Sequence, residues 1–313
     1  MKRRLHPLTL TLTRKCFVSE GLENLDTIRL RLHTVVEKLS GNPIYLILPL
    51  ILYMSFFYVY PLVRMLGMSL FSPQFTLQYY REFIETGIYL QSLYITLKIS
   101  TLVTILCLLI GYPLAYYLSG LPPHKANVLL TFVLVPLWTS ILVRTYAWIM
   151  ILGRNGILNQ TFMKLGLIDE PVMVIYNIVG VCIGMTHVMM PFMVLSLYSV
   201  MTGIDRDLLK AAQNLGARPL ETFRRIFLPL SMPGIFAGSV LVFIISVGFF
   251  VTPALLGGRK DVMISMIIEQ AVSVFLNWGF ACATAFILLF LILAIFLTSG
   301  KMIGFEKLWG RRA

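Results

Sequence analysis

Few side chains in this sequence could do chemistry inside its long apolar runs. Arg144 and His187 each interrupt such a run, and no Asp or Glu lies well within one. An ionisable group in an apolar span usually faces the protein interior or water. Without a constellation of carboxylate, histidine or serine residues, the pattern disfavours a proton relay, an intramembrane protease or a metal enzyme. The sequence therefore predicts no catalytic residue, no metal site and no cofactor.

The positions of the cysteines also argue against a metal site. Cys107, Cys182 and Cys282 fall inside apolar runs, Cys16 lies near the N-terminus, and no two of the four are closely spaced. This spacing excludes a disulfide framework and a zinc site of the usual kind. The three cysteines in apolar runs are expected to be buried structural thiols.

The densest set of signals lies in a polar stretch between two apolar runs, residues 203–233. Apolar side chains recur there at helical spacing, at Leu208, Ala211, Ala212 and Leu215. Gly216 follows where that helix would end, with a positive φ expected, and Pro219 would open a second short helix. The second helix would carry an apolar face and a basic face, formed by Phe223, Ile226 and Phe227 and by Arg218, Arg224 and Arg225. Such a pair of helices predicts a docking surface for a soluble partner, and the alternative is an ordinary surface hairpin.

This stretch also resembles the "EAA" loop of bacterial ABC-importer permeases. The positions that match are Ala211, Ala212, Gly216, Ile226 and Pro229. The resemblance implies coupling helices that fit a groove on an ATPase subunit, with the contacts made by Lys210, Ala211, Ala212, Gly216, Phe223, Ile226 and Pro229. Lys210 stands where the family usually has Glu, so a pairing with a basic residue of the ATPase would have to be rearranged.

The composition sets the class of protein in which this loop must sit. The chain has 313 residues, of which 58% are hydrophobic and only 13% charged. A soluble domain cannot expose so little polarity, so the sequence predicts an all-α polytopic membrane protein. The formal net charge of +12 is attributed to basic cytoplasmic loops rather than to a nucleic-acid site.

Six candidate membrane spans are each near the roughly 20 residues that a bilayer requires. They are Pro43–Leu66, Leu93–Leu118, Val128–Leu152, Tyr176–Val200, Gly234–Leu255 and Gly279–Thr298. The predicted domains are a basic tail over residues 1–42, a six-helix permease domain over 43–300 that includes the loop 203–233, and a C-terminal tail over 301–313. Residues 25–39 could form a helix on the membrane surface or belong to a disordered tail.

The distribution of Lys and Arg predicts the orientation. Both tails and the 203–233 loop are rich in these residues, whereas the alternate loops hold only Arg81, Arg154, Lys164, Arg259 and Lys260. The asymmetry places both termini and the 203–233 loop in the cytoplasm. The loops on the other side contain amphipathic stretches, which could form a platform for an extracytoplasmic partner or simply lie at the membrane interface.

Clustered aromatic residues and the buried charge suggest a translocation route. The candidate pathway residues are Trp138, Arg144, Tyr146, Phe249 and Phe250. Arg144 is either an interhelical hydrogen-bond anchor, which we favour, or a part of the pathway. His187 is expected to be hydrogen-bonded for structural reasons.

Two further segments resemble spermidine/putrescine-type permeases, namely Val135–Gln160 in the third span and Phe250–Gly258 at the end of the fifth. This resemblance implies the six-helix core of type I ABC importers in a bacterial inner membrane, in contact with lipid. It also implies a second permease subunit, usually a different chain, two cytoplasmic ATP-binding subunits and a periplasmic substrate-binding protein. The chain has no phosphate-binding Gly-Lys-Ser/Thr loop, so ATP would be hydrolysed by the separate subunits.

Three alternatives remain open. The chain could be an ABC permease for another small cationic or amino-acid-derived solute, because a polyamine site should offer carboxylates and aromatic cages, and the spans offer aromatic residues but few acids. A secondary transporter or channel would need inverted repeats or intramembrane ionisable residues, and neither is detected. A membrane-embedded enzyme is disfavoured for the reasons given above.

Overall fold

The computed structural model describes residues 44–71 and 74–302. The predicted N-terminal tail, with Cys16, and residues 303–313 of the predicted C-terminal tail lie outside this range. The chain divides into two compact units, Met1–Met65 and Leu66–Ala313. All regular elements in the described part are helices, so the predicted all-α class is confirmed.

The first unit contains α1, Ile44–Met54, followed by a π-helical turn, Ser55–Val59, and the start of α2, Tyr60–Leu70. Every described side chain from Ile47 to Met65 is exposed. Apolar side chains that are exposed on this scale need an apolar surrounding, which a bilayer supplies.

The second unit contains the remaining helices. They are α3 Gln78–Glu85, α4 Gly87–Ser119, α5 Pro123–Trp138, α6 Ile141–Leu152, α7 Ile157–Lys164, α8 Ile178–Met201, α9 Arg206–Asn214, α10 Pro219–Thr222, α11 Leu228–Val247, α12 Val251–Leu256, α13 Ile264–Ser273 and α14 Trp278–Met302. A second π-helical turn, Phe223–Phe227, joins α10 to α11.

Both π-helical turns end two residues before a proline. Ser55–Val59 comes before Pro61, and Phe223–Phe227 comes before Pro229. A proline inside a helix lacks an N–H donor, and its ring clashes with the carbonyl one turn earlier. The wider π-helical turn accommodates both defects, so the helix continues instead of ending.

Three long helices, α4, α8 and α11, pack against one another and form the core of the second unit. A stripe of α8 with one residue every four positions is completely buried, and it consists of Met185, Met189, Met193, Leu197 and Met201. Successive members of this stripe are about one turn apart, so the stripe follows a ridge that winds slowly around the helix. Helix α4 has 33 residues and is about 50 Å long at 1.5 Å per residue, so it reaches both ends of the bundle.

Four of the six predicted spans coincide with helices of the structure. Helices long and apolar enough to cross a membrane cover Ile47–Leu70, Gly87–Ser119, Ile178–Met201 and Trp278–Thr298. A fifth covers Pro219–Val247, and a bent pair of helices completes six only if it is counted as one span.

The prediction of a continuous third span, Val128–Leu152, is wrong. The helix is interrupted at Thr139 and Ser140. The helical segments on either side, Pro123–Trp138 and Ile141–Lys164, are bent by 97° relative to each other. The backbone N–H and the hydroxyl of Thr139 both donate to the carbonyl of Pro136, at 3.3 and 2.9 Å. Thr139 itself has an extended backbone conformation, so the helix ends at these bonds.

The boundaries predicted for the fifth span, Gly234–Leu255, are also wrong. The apolar helix begins 15 residues earlier, at Pro219, and ends at Val247. Gly248 caps the end of this helix, and Phe249 and Phe250 are non-helical before α12 begins. Pro253 lies in the first turn of α12, where no backbone N–H is needed, so a new helix starts there more readily than the old one continues.

Candidate functional site

The first half of the 203–233 loop is a helix closed at both ends by local bonds. The Asp205 carboxylate accepts from the backbone N–H of Asp207 at 2.9 Å and so caps the start of α9. At the other end Gly216 has a φ of +90°, and Ala217 N–H donates to the Ala212 carbonyl at 3.0 Å. This pattern is a Schellman motif, which requires the left-handed conformation that glycine adopts without steric cost. The predicted turn at Gly216 is confirmed.

The second half of the loop begins at Pro219, as predicted, but it is not a separate short helix. It is the first turn of the helix that runs from Pro219 to Val247. The Glu221 carboxylate accepts from the backbone N–H of Arg218 at 3.3 Å and satisfies a free donor at the helix start. The loop is therefore joined covalently, through one helix, to the break at Gly248–Phe250.

Arg206 ties the loop to the end of α4. Its Nη2 donates to Ser119 Oγ at 2.7 Å, and its guanidinium lies over the rings of Tyr116 and Phe227, at 5.6 and 5.4 Å from the ring centres. Phe227 is buried and Phe223 half-buried, with both rings edge-on to Tyr116. Sequence reasoning missed this contact because Ser119 lies 87 residues away from Arg206.

The exposed face of the loop is formed by other apolar side chains. Leu208, Leu215 and Leu220 are 50%, 90% and 75% exposed, and sequence reasoning did not single out Leu220. Among the predicted coupling residues, the exposed ones are Lys210, Ala211, Gly216 and Pro229, and the half-buried ones are Ala212, Phe223 and Ile226.

The charge of this surface is positive. Lys210 Nζ pairs with Asp207 Oδ1 at 2.8 Å, one turn away on α9. This contact raises the pKa of Lys210 and lowers the pKa of Asp207, in both cases chiefly through the hydrogen bond. The exposed side chains of Arg218, Arg224 and Arg225 form no hydrogen bond or ion pair with another described residue. The surface thus combines protruding leucines with unpaired arginines.

The structure brings the two helix breaks together at the end of the bundle away from this loop. Helix α6, which carries Arg144 and Tyr146, packs against α12, which follows Phe249 and Phe250. A buried hydrogen bond of 3.3 Å links Thr145 on α6 to Thr252 on α12. The pathway residues predicted from two distant segments therefore lie on segments that are in contact.

Arg144 does not form the hydrogen-bond anchor that we favoured. Its Nε and Nη1 atoms are buried and have no hydrogen-bond partner among the described residues. The nearby Trp148 donates from Nε1 to His187 Nδ1 at 3.3 Å, so His187 is hydrogen-bonded as predicted. Trp138 and Tyr146 are 75% and 56% exposed, and neither is part of the core.

The described residues contain no group of three or more His, Cys, Asp or Glu side chains that could hold a metal ion. Cys107, Cys182 and Cys282 are buried and free, in agreement with their prediction as structural thiols. Cys107 Sγ donates to the Thr186 carbonyl at 3.6 Å, which gives it a packing role between α4 and α8.

Comparisons with known proteins agree with this geometry. The family described as "Binding-protein-dependent transport system inner membrane component" matches residues 108–300. The spermidine/putrescine transport system permease protein PotB of Escherichia coli (strain K12) is 40% identical over 212 residues, which cover 67% of this chain and 76% of that protein. PotB of Haemophilus influenzae is 34% identical over 252 residues, which cover 80% of this chain and 83% of that protein.

A solved structure has the same fold. It is a bacterial alginate ABC transporter in complex with an alginate pentasaccharide-bound periplasmic protein. One of its chains superimposes with a TM-score of 0.69 at 17% identity, over 85% of this chain and 96% of that chain. At this identity the likeness concerns the fold alone.

Proposed function

The chain belongs to the family of binding-protein-dependent transport system inner membrane components, and we propose that its substrate is a polyamine of the spermidine/putrescine class. Within this family it is the transmembrane permease subunit of an ABC importer, and it is not itself an enzyme. The observation that carries the substrate is the 40% identity to E. coli PotB over 76% of that protein. That alignment is far closer than the 17% identity to the alginate transporter.

The proposed partners are two cytoplasmic ATP-binding subunits, a second and different permease chain, and a periplasmic substrate-binding protein. The 203–233 loop is the proposed docking surface for an ATP-binding subunit. Leu215 and Leu220 protrude from it, and protruding apolar side chains in a helical surface suit a hydrophobic groove. The proposed contacts are Lys210, Ala211, Ala212, Gly216, Ile226 and Pro229, with Phe223 packed beneath them.

Two connections support a coupling role for this loop. The Pro219–Val247 helix leads directly from the loop to the break at Gly248–Phe250. The bond from Arg206 to Ser119 fastens the loop to α4. A displacement of the loop by the ATP-binding subunits would therefore move two of the three core helices together, since packed helices shift as rigid elements.

The proposed pathway passes the two helix breaks. Irregular backbone at membrane depth is tolerated where it is buried in protein or lines a cavity, and both breaks carry predicted pathway residues. Trp138 precedes the first break and Phe249 and Phe250 form the second. The exposed rings of Trp138 and Tyr146 are available to a solute or to the second permease chain, and Arg144 lies on the same helix as Tyr146.

The protein is a multi-pass membrane protein, and we propose that both termini and the 203–233 loop are cytoplasmic. The excess of Lys and Arg in that loop supports this orientation. A single cysteine at Gln160, exposed on α7, should react with an impermeant maleimide in intact cells. One at Asn214, exposed on α9, should react only after lysis, and the opposite pattern would reverse the orientation.

The substrate is tested by reconstitution of the permease pair with its ATP-binding subunits and binding protein in proteoliposomes. We expect uptake of labelled spermidine that requires ATP. A catalytically inactive ATP-binding subunit should abolish uptake, whereas a secondary transporter or channel would continue to carry the solute. Retention of an amino-acid-derived solute instead of spermidine by the cognate binding protein would contradict the polyamine assignment and leave the importer fold in place.

A further inference from the structure

A cleft of about 510 Å³ opens at the end of the bundle opposite the 203–233 loop. It lies where α3, the first turns of α4, α13 and the start of α14 meet. Its lining includes Glu82, Tyr89, Ser92, Gln270, Phe275 and Phe280. The volume is within the range of about 300–1,000 Å³ found for small-molecule sites, which are mostly apolar with a few polar groups.

The aromatic wall of the cleft is held in place by packing. The Tyr89 ring is stacked on Phe83, with centres 5.8 Å apart and planes at 11°. It is also in contact with Phe280, at 4.8 Å between ring centres. Phe83 and Phe280 are only 2% and 4% exposed. The ring of Tyr89 is therefore fixed between two buried rings before any ligand arrives.

The single charged group in the lining is the carboxylate of Glu82. It forms no hydrogen bond or ion pair with another described residue. The adjacent Arg81 is committed to Glu85 on the outer side of α3, with Nε 2.6 Å from Oε1. Although the net charge of the chain is +12, no Lys or Arg is among the described residues that line this cleft.

We infer that the cleft binds the alkylammonium group of a soluble amine, with Glu82 as its counter-ion and Tyr89 and Phe280 as its aromatic wall. An ammonium group is stabilised by a charge-assisted bond to a carboxylate, and the aromatic residues of the lining offer apolar surface to the alkyl chain that carries it. This inference rests on the proposed polyamine function and assigns it a site. It also supplies the carboxylate that the membrane spans lack.

The position of the cleft suits a substrate-binding site at the entrance of the proposed translocation pathway. Tyr89 and Ser92 lie in the first turns of α4, the same helix that contacts Arg206 at its far end. Val262, also in the lining, is two residues before α13. The first residue of α13, Ile264, donates its N–H to Thr96 Oγ1 on α4 at 2.9 Å. A ligand in the cleft would thus contact helices that lead toward the coupling loop.

The direct test is spermidine binding to the assembled transporter in nanodiscs that lack phosphatidylethanolamine, with no binding protein present. Glu82→Gln should weaken binding of labelled spermidine by about tenfold, the loss expected for one charge-assisted contact. Glu269→Gln is the matched control, because Glu269 is exposed on the neighbouring α13 and is not in the lining. Glu82→Asp should recover most of the binding, and co-purification of the ATP-binding subunits verifies that each variant is assembled.

The outcomes separate this inference from the proposed function. If the wild-type transporter imports spermidine but Glu82→Gln binds it as tightly as the wild type does, the site is wrong and the function stands. If spermidine is not imported but its binding depends on Glu82, the substrate assignment fails and the site stands. If restoring phosphatidylethanolamine abolishes the Glu82-dependent binding, and the lipid co-purifies only when Glu82 is present, the occupant is a lipid headgroup and the inference is overturned.

Discussion

The two ends of the helix bundle are stabilised in different ways. At the 203–233 loop, for which we propose the coupling role, the helix ends are closed by bonds between residues two to five positions apart, such as Asp207 N–H to the Asp205 carboxylate and Ala217 N–H to the Ala212 carbonyl. At the opposite end, local caps such as Asn177 at the start of α8 are supplemented by bonds that join distant segments. Tyr176 N–H donates to the Leu256 carbonyl at 2.8 Å, and Thr145 is bonded to Thr252.

This difference bears on how each end can move. A loop whose shape is fixed by its own sequence can be displaced as one body and keep its docking surface. An end that is held by contacts between helices changes its shape whenever those helices shift. An importer needs both properties, because the ATP-binding subunits must hold an unchanging surface while the pathway opens and closes. Two long-range bonds are exceptions at the end that carries the 203–233 loop, since Arg206 is bonded to Ser119 and Ser231 to Tyr112, and both partners lie on α4.

The largest effect should follow from crowding the opposite end at Gly184. A Cβ atom there would lie 2.5 Å from Leu256 Cδ1 and 2.8 Å from Thr252 Cγ2, so these buried side chains, or α12 that carries them, would have to shift. Overpacking of this kind typically costs about 1–3 kcal/mol. Gly184→Ala should therefore lower the melting temperature of the purified permease by several degrees and reduce uptake.

The matched control is Gly67→Ala, also in a helix, where an added Cβ meets nothing within 4 Å. That variant should be unchanged or slightly more stable, because Ala is favoured over Gly in a helix by about 0.5–1 kcal/mol. Equal melting temperatures for the two variants would show that α12 is free to shift, and would remove the contrast between the two ends.

A smaller loss is expected when the tie between the loop and α4 is cut. Arg206→Ala removes the bond to Ser119 and the contacts with Tyr116 and Phe227, together worth about 1–2 kcal/mol. Hydrogen exchange of the α9 amides should speed up, and ATP hydrolysis should become partly uncoupled from uptake. Arg225→Ala is the control, since Arg225 is exposed and bonds to no described residue. Unchanged exchange in Arg206→Ala would mean that the local bonds alone hold the loop.

Gly216→Ala tests those local bonds directly. Nothing lies within 4 Å of the added Cβ, so the cost comes only from the φ of +90° and should be about 1 kcal/mol. We expect about fivefold weaker co-purification of the ATP-binding subunits. Gly203→Ala, in the same loop and with room for a Cβ, should behave as the wild type. Full docking by Gly216→Ala would argue against the coupling surface.

The same contrast explains what the sequence could and could not predict. The turn at Gly216, the helix start at Pro219 and the buried cysteines follow from local pattern, and they were predicted. The breaks at Thr139 and Gly248 lie inside apolar runs that also suit a continuous span, so the hydrophobic pattern alone does not distinguish a broken helix from an unbroken one. The cleft around Glu82 and the Arg206 contact unite residues from segments far apart in the chain, which no spacing within one segment can reveal.

A substitution of Lys210 should have the smallest effect on the stability of the isolated permease. Its pair with Asp207 is exposed at both partners, and exposed pairs contribute little to stability. The raised pKa of Lys210 means that its share of the pair is present below its unfolded pKa and is lost as the pH rises through the folded value. The lowered pKa of Asp207 means that its share is present above its unfolded pKa and is lost as the pH falls through the folded value. The contribution of this pair to stability should therefore stay constant between about pH 6 and 8.

A change at Lys210 should affect the docking of the ATP-binding subunits more than it affects the stability of the permease. Lys210→Glu tests this expectation. The loop presents Lys210 beside the unpaired Arg218, Arg224 and Arg225, so a groove complementary to it is expected to be acidic. Lys210→Glu would place a like charge against that groove and weaken co-purification of the ATP-binding subunits about threefold at low salt. The loss should fade at high salt, where exposed charges are screened, and Lys210→Ala should lie between. Tighter docking by Lys210→Glu would show instead that the groove keeps a basic residue for the Glu that the family usually has there.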